Sequence, residues 1–273
     1  MKNASISISR ACRLVGLPRS LWYREDPSER QARKDAPVID ALNAVLERNG
    51  SWGFWKCHWA LYRQGFVCNH KRLWRVYCAM GLNQKRRAKK RLPNRARQPL
   101  TVPPESNHTW SFDFMSDALY SGMRYRALNI MDEDVREALD IVVDTSIPAA
   151  RVVRSLEQLR CTRGLPRRIR IDNGPEMLAG VFTEWCRDHA IEVVYIQPGK
   201  PNQNAYIERF NRSFRAEVLN RYLFTWLAEV RELSAAWLIS YNEERPHASL
   251  GNIPPAVFRK QISGEMSTYE LST

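Results

Sequence analysis

The amino-acid sequence predicts an α/β protein whose mixed five-stranded sheet is covered by helices and preceded by a small all-α region. The first observation is the order of periodicities after residue 108, which runs βββαβαβ and ends in another helix. Three consecutive strands followed by alternating helices and strands are typical of a sheet with antiparallel and parallel neighbours. The second observation is that the helical segments predicted between residues 5 and 80 are joined without any strand pattern.

The chain begins with a helical segment at residues 5–24. A short helix, a turn at Gly16 and a second short helix near Pro18 are predicted there. This arrangement is typical of a helix-turn-helix, although a plain helical hairpin has the same pattern. Both interpretations of this segment stay open.

A second helical segment follows. Pro37 is predicted to open a helix that ends at the Asn-Gly-Ser sequence 49–51, and another helix is predicted at 54–64. Asn69 can cap a third helix, because its side chain can accept a backbone N–H. The third helix is rich in basic residues, which favours insertion into the DNA major groove over an exposed basic helix without a ligand. The predicted DNA contacts on this helix are Lys71, Arg72 and Arg75.

The next residues form a dense basic run. Eight of the thirteen residues 85–97 are Lys or Arg, so mutual repulsion keeps the segment extended, and several prolines also disfavour a helix. A linker of this kind at 85–104 is predicted to contact phosphates, which adds affinity without sequence selectivity. The alternative is a solvated linker. The predicted contacts are Lys85, Arg86, Arg87, Lys89, Lys90 and Arg91.

The charge distribution indicates nucleic acid as the partner. The formal net charge is +13; residues 1–100 hold 22 Lys and Arg against 6 Asp and Glu, whereas residues 101–273 hold 20 against 23. The docking surface is therefore expected in the first third of the chain. No apolar run approaches the roughly 20 residues of a membrane span, and no secretory signal is visible. We therefore expect a cytoplasmic protein without a membrane partner.

The six cysteines do not form a zinc-binding pattern. They contain no C-x-x-C pair, and the two nearby Cys and His pairs, Cys57-His58 and Cys68-Asn-His70, lack the spacing of a zinc finger. Reduced thiols are therefore favoured over a zinc site.

The sheet region starts near residue 109. Its strands are predicted at 109–116, 124–132, 138–144, 168–171 and 192–196. One helix is predicted to open after Pro148 and to bury Ala149, Val152, Val153, Leu156 and Leu159. A second helix is predicted at about 176–189, and the side chains expected to face inward are Leu178, Val181, Phe182 and Trp185.

Three acidic residues are the main candidates for chemistry. Asp113 lies within an apolar strand, Asp172 ends a strand, and Glu208 begins a helix after an irregular loop. Singly, they fit a buried hydrogen-bonding Asp, a turn residue and an intrahelical partner of Arg212. Jointly, acids from three separate elements favour a magnesium site, because this hard cation prefers carboxylate oxygens and phosphate substrates.

The motifs around these acids resemble a known family. They are Trp110-x-x-Asp113, Ile171-Asp172-Asn-Gly-Pro-Glu176, the sequence 199–211 that includes Glu208, and the sequence 241–251. Together they resemble the catalytic reading frame of bacterial insertion-sequence transposases, in the two-frame family named after the third insertion sequence. The core of that family is similar to retroviral integrases and to ribonuclease H. The similarity covers about residues 5–258.

The resemblance implies a ribonuclease-H-like fold and a metal-dependent reaction on DNA. Asp113, Asp172 and Glu208 would bind two Mg²⁺ ions, with Mn²⁺ as a substitute, for cleavage at element ends and strand transfer. Asp117 and Glu176 compete with them and are expected to be supporting or capping residues. The alternatives are a non-catalytic regulator that binds element ends, and a nuclease that never joins strands.

The same resemblance implies partners and an organisation of the chain. The expected partners are double-stranded DNA, further copies of the chain on that DNA, and the product of the upstream reading frame; the expected location is the bacterial nucleoid. Further DNA contacts are expected from Lys200, Arg212 and Arg215. The predicted divisions are a helix-turn-helix region at 1–84, the linker at 85–104, a catalytic core at 105–225 and a helical extension at 226–273.

Overall fold

The computed structural model describes residues 7–83, 105–196 and 204–264. The basic run from Lys85 to Arg91 and Lys200 therefore lie outside the described residues. Residues 7–83 form the helices α1 (Ile8–Leu14), α2 (Arg19–Trp22), α3 (Pro27–Arg48), α4 (Phe54–Arg63) and α5 (His70–Ala79). None of the helices in the described ranges is long and apolar enough to cross a membrane.

Helix α3 begins ten residues earlier than the sequence pattern indicates. The Asp26 side chain accepts the backbone N–H of Ser28 at 2.7 Å, and Pro27 occupies the first turn, where its missing N–H costs nothing. The prediction that Pro37 opens this helix is therefore wrong, since Pro37 lies inside it. The first turns of α3 are polar and show no apolar stripe from which the true start can be read.

Helices α3, α4 and α5 pack around one apolar core. Helix α5 starts as predicted, because Asn69 Oδ1 accepts the Lys71 backbone N–H at 2.9 Å. The buried residues of this core include Leu42 from α3, Leu61 from α4, and Leu73 and Val76 from α5. One apolar face of α5 is thereby fixed inward, so its basic residues lie on the other faces.

The second part of the chain contains the predicted mixed sheet. Its strands are β1 (Thr109–Ala118), β2 (Arg124–Asp132), β3 (Glu137–Asp144), β4 (Arg168–Ile171) and β5 (Glu192–Tyr195), in the spatial order β3-β2-β1-β4-β5. Strands β1, β2 and β3 are antiparallel, whereas β4 pairs in parallel with both β1 and β5. The predicted five-stranded α/β architecture is confirmed.

Helices cover both faces of this sheet. They are α6 (Ala149–Arg163), α7 (Pro175–Leu178), α8 (Gly180–Asp188), α9 (Ala205–Phe214), α10 (Leu227–Glu243) and α11 (Pro255–Ile262). One face packs Phe112 and Leu128 against α6 and α8, and the other packs Met115 against Phe214 and Val230. Helix α9 continues into a π-helical turn at Arg215–Leu219. The sheet is therefore buried on both faces.

The helix predicted at 176–189 is broken in two. Ala179 has an extended backbone with ψ 138°, which ends α7 and starts α8 in a new phase. The prediction that Leu178 and Val181 face inward is wrong, because each is 55% exposed, and Met177 is buried in their place. Phe182 and Trp185 are buried as predicted.

Candidate active site

Asp113 lies in the middle of β1, opposite Asn129 of β2. Because side chains alternate along a strand, it points to the face covered by α9, away from Phe112 and Phe114. Its Oδ1 accepts the backbone N–H of Phe114 at 2.9 Å, and its Oδ2 accepts Asn211 Nδ2 at 2.6 Å. The carboxylate is therefore half-buried and held on both oxygens.

Two asparagines that the sequence did not predict support this carboxylate: Asn211 bonds to it directly, and Asn129 bonds to Asn211. Asn129 is fully buried, and its Nδ2 donates to Asn211 Oδ1 at 2.6 Å. Asn211 in turn donates to Asp113, so the chain of hydrogen bonds joins β2, α9 and β1. The available signal was a lone polar residue between Leu128 and Ile130 in an apolar strand, since such a residue needs a buried partner.

Asp172 and Glu208 approach the same region from other elements. Asp172 follows the last residue of β4 and is exposed, and its Oδ1 accepts the Gly174 backbone N–H at 3.1 Å. Glu208 is exposed in the first turn of α9, three residues before Asn211. The helix that carries Glu208 is therefore the one that binds the Asp113 carboxylate.

The electrostatics of Asp113 indicate that the three acids lie near one another. The pKa of Asp113 is raised from 3.8 to about 6: burial is the largest cause, the negative charges of Asp172 and Glu208 add to it, and hydrogen bonds from Phe114 and Asn211 oppose the shift. A carboxyl group with this shift binds a cation favourably, because a cation would stabilise its charged form.

Lysine and arginine do not supply that cation within the described residues. None of the ion pairs there involves Asp113, Asp172 or Glu208. In the same ranges, no three His, Cys, Asp or Glu side chains are grouped closely enough to hold a metal ion as they stand. The carboxylate oxygens of Asp113, Asp172 and Glu208 therefore lie in one region but do not converge on one point. Carboxylates that are not paired with Lys or Arg in the described ranges suit a hard divalent cation.

Asp117 and Glu176, the two acids that compete with the three candidates, each form an ion pair with an arginine. Arg215 Nη1 lies 3.1 Å from Asp117 Oδ2, and its Nη2 donates to the Ser116 carbonyl at 3.1 Å. Arg126 forms an ion pair with Glu176. Arg212, one helical turn after Glu208, is exposed.

The basic residues of α5 have different environments. Lys71 is exposed, whereas Arg75 Nη2 and Arg72 Nε lie 2.7 and 3.5 Å from Asp35 Oδ1 of α3. The hydrogen bond from Arg75, then one from Gln31, lowers the pKa of Asp35 to about 2. The two arginine side chains stay 43% and 49% exposed, so their outer atoms remain within reach of a ligand.

Helix α4 contacts the second part of the chain through Glu217. One carboxylate oxygen of Glu217 lies 2.9 Å from Arg245 Nη2 and 3.6 Å from Lys56 Nζ of α4, and the other accepts Trp237 Nε1 at 2.9 Å. Burial lowers the pKa of Lys56 to about 8. Nearby, burial lowers the pKa of His247 to about 3, so this imidazole is neutral. The helices of the first part are thus attached beside the π-helical turn after α9.

Three family models match the chain. A model described as an HTH-like domain matches residues 32–91, and two models described as Integrase core domain match residues 103–201 and 189–255. The first match covers most of α3 and all of α4 and α5, and the other two cover the sheet and the three acids.

Relatives from two insertion elements match most of the chain. The Insertion element IS476 uncharacterized 39.2 kDa protein of Xanthomonas euvesicatoria is 41% identical over 94% of this chain and 74% of its own length. The Insertion element IS407 uncharacterized 31.7 kDa protein of Burkholderia multivorans is 40% identical over 94% of this chain and 92% of its own length. Among solved structures, the HTLV-2 integrase catalytic core domain in complex with magnesium has 17% identity and a TM-score of 0.42, over 56% of this chain and 96% of that chain.

Proposed function

Because the chain belongs to the insertion-element family of proteins with an integrase core domain, we propose that it is a DNA transposase that acts at the nucleoid. More specifically, we assign it to the two-frame family named after the third insertion sequence, as the catalytic reading frame. It cleaves DNA at the ends of its element and joins the new 3′ ends to a second DNA strand.

The observation that supports this function most is the contrast among the acids. Among the ion pairs of residues 7–83, 105–196 and 204–264, Asp117 and Glu176 each pair with an arginine, whereas Asp113, Asp172 and Glu208 are in none. Asp113 is the half-buried member of the three, and a carboxylate held partly away from water without a cation is costly, which makes it a candidate for binding a ligand. We therefore assign Asp113, Asp172 and Glu208 as the metal-binding catalytic residues.

Each residue has a defined part in the proposed reaction. Asp113, Asp172 and Glu208 would hold two Mg²⁺ or Mn²⁺ ions, which would supply Lewis acidity for activating a water or a 3′-hydroxyl and for stabilising the leaving oxygen. Asp113 provides a carboxylate fixed by Asn211, while the exposed Asp172 and Glu208 can turn toward it. No protein nucleophile is required, so no serine or cysteine is assigned to the reaction.

DNA is proposed to contact the basic side chains on both parts of the chain. Lys71, Arg72 and Arg75 of α5 are assigned to the element end, and Arg212 and Arg215 to the strand next to Glu208. The basic run at 85–97 and Lys200 are assigned to phosphates. Self-association on DNA and contact with the upstream reading-frame product are proposed as well.

The test uses the full chain with labelled DNA ends of its own element. Mg²⁺ should give a nicked product and then a joined product, and Asp113→Asn, Asp172→Asn and Glu208→Gln should each abolish both while end binding remains. Glu192→Gln is the matched control, because Glu192 is an exposed acid paired with Arg168 at the other end of the sheet.

The outcomes separate the alternatives. Nicking without joining would identify a nuclease, and end binding without nicking in any divalent metal would identify a regulator. Full cleavage by one of the three variants would remove that residue from the metal site.

A further inference from the structure

Arg126 connects two parts of the proposed site that carry different acids. It lies on β2 opposite Ser116, so it points to the face of the sheet away from Asp113. Its guanidinium forms an ion pair with Glu176 of α7, and its Cζ atom lies 4.1 Å from the ring centroid of Phe114. Because Phe114 directly follows Asp113, one side chain touches both the strand of Asp113 and the segment after Asp172.

The segment from Asp172 to Leu178 has few anchors of its own. Asp172 and Asn173 are exposed, whereas Glu176 is partly buried and Met177 is buried. Met177 is buried, and its carbonyl accepts the Tyr195 hydroxyl at 3.3 Å. Glu176 adds the ion pair with Arg126, which is 33% exposed on the arginine side and 16% on the glutamate side. A pair shielded to this extent is stronger than one on the open surface.

The Glu176 carboxylate also lies close to that of Asp172. A Cβ atom at Gly174 would lie 3.1 Å from Asp172 Oδ1 and 3.4 Å from Glu176 Oε2, so both carboxylates flank this glycine. Gly174 has an ordinary negative φ, and a Cβ atom there would contact both acidic side chains closely. Glu176 Oε2 has no hydrogen-bond partner within the described part of the chain. The cation that compensates the Glu176 charge on this side of the glycine is Arg126.

We propose that Arg126 is a positioning residue for the metal site: by binding Glu176, it neutralises that carboxylate and orders the segment 172–178 so that Asp172 is presented toward Asp113 and Glu208. Arg126 itself touches neither metal nor DNA in this role. The proposal rests on the metal site of the proposed function. It adds to that site an arginine that lies on the face of the sheet opposite Asp113 and holds segment 172–178 through Glu176.

The first test measures order in the segment directly. Arg126→Met keeps the apolar stem over Phe114 but removes the charge, and hydrogen exchange of peptides covering 172–178 should become at least about tenfold faster. Arg126→Lys should restore part of the protection, because it keeps the positive charge. Arg168→Met is the matched control, since it removes a similarly exposed arginine from the ion pair with Glu192; exchange in 172–178 should not change in this variant.

The second test measures Mn²⁺ binding by the free protein, without DNA or turnover. Arg126→Met should raise the Mn²⁺ dissociation constant about 10- to 100-fold, as expected when a residue that orients a metal ligand is lost. In a Glu176→Gln background the same change should have a much smaller effect, because the charge that Arg126 neutralises is already absent. The control Arg168→Met should bind Mn²⁺ like the unchanged protein.

The results distinguish this proposal from the proposed function. If hydrogen exchange in segment 172–178 is unchanged in Arg126→Met, the proposed role of Arg126 is wrong. It is also wrong if exchange becomes faster but the Mn²⁺ dissociation constant stays the same, provided that Asp172→Asn does weaken Mn²⁺ binding. An equal effect of Arg126→Met with and without Glu176 also overturns it. If Asp113→Asn and Asp172→Asn leave Mn²⁺ binding unchanged, the metal site itself fails, and the exchange rates alone decide whether Arg126 orders the segment.

Discussion

Asp35 and Asp113 are both packed aspartates that accept two or more hydrogen bonds, yet their pKa values move in opposite directions. Asp35 meets Arg75, Gln31 and Arg72, and its pKa falls to about 2. Asp113 is half-buried, and this burial, together with the negative charges of Asp172 and Glu208, raises its pKa to about 6. Arginine neighbours make Asp35 a structural link between α3 and α5, whereas partial burial beside two acids favours a cation at Asp113.

The largest expected effect comes from removing one charge of the acidic site. Asp113→Asn keeps the shape of the side chain but loses the charge that a hard cation requires. Cleavage should fall by at least about 100-fold, the upper range for variants that only orient metal ligands. End binding, measured by gel shift without metal, should stay within about twofold. A matching loss in Asp35→Asn, at saturating DNA, would contradict the distinction between the two aspartates.

A smaller loss is expected from Asn211, which holds Asp113 without being an acid. Asn211→Ala removes the hydrogen bond to Asp113 and leaves Asn129 Nδ2 without its partner. Mn²⁺ affinity should fall about tenfold, at the low end of the losses found when a residue that hydrogen-bonds to a metal ligand is removed. Calorimetric titration of Mn²⁺ into the variant checks this. Ser213→Ala is the control, because Ser213 lies on the same helix and its hydroxyl bonds to the Arg209 carbonyl and to Arg245. Equal losses in both variants would indicate a general loosening of α9.

Asp35→Asn tests the opposite case, a carboxylate whose value lies in stability. The variant keeps the shape but weakens the hydrogen bonds to Arg72 and Arg75, and hydrogen bonds to charged groups contribute about 1.5–3 kcal/mol. The free energy of unfolding at pH 7 should fall by roughly that amount in a denaturant titration. Asp40→Asn, an exposed acid on the same helix, should change it by less than about 0.5 kcal/mol.

The pH dependence of this difference has a definite sign. The folded pKa of Asp35 is lowered from 3.8 to about 2, so its contribution is fully present above the unfolded value and is lost as the pH falls through the folded value. The stability difference between the unchanged protein and Asp35→Asn should therefore shrink between about pH 4 and pH 2. Denaturation midpoints of both proteins at pH 7, 4 and 3 check this. A difference that grows as the pH falls would show that Asp35 is not held by arginines.

The sequence predicted the elements well where one periodicity decides them. The alternation of apolar residues located all five strands within about two residues, and the Asn69 cap located the start of α5. The start of α3 and the break at Ala179 were missed, because polar helical turns and a single extended residue leave no apolar pattern.

The candidate site divides in the same way. The three acids were selected from motifs along the chain, since each marks the end or the face of an element, and their role as metal ligands stays a prediction. The bonds from Asn211 to Asp113 and from Arg75 to Asp35 were not predicted, as they join residues 98 and 40 positions apart. The tertiary structure decides which arginines form ion pairs and which acids they pair with, and the sequence pattern does not show this.

The smallest expected effect separates two arginines on α9 and its π-helical turn. Arg212 is exposed, and the described ion pairs do not include Glu208 with Arg212, whereas Arg215 binds Asp117 and the Ser116 carbonyl. Arg212→Ala should therefore leave the free energy of unfolding within about 0.5 kcal/mol and lower the slope of log affinity against log salt by about 0.9, as for one lost phosphate contact. Arg215→Ala should lower stability as well, because it leaves Asp117 without its cation. Salt titrations of DNA binding and thermal melting of both variants make the comparison. If Arg212→Ala lowers the melting temperature and leaves the salt slope unchanged, Arg212 contributes to stability, as Asp35 does, and does not contact the DNA.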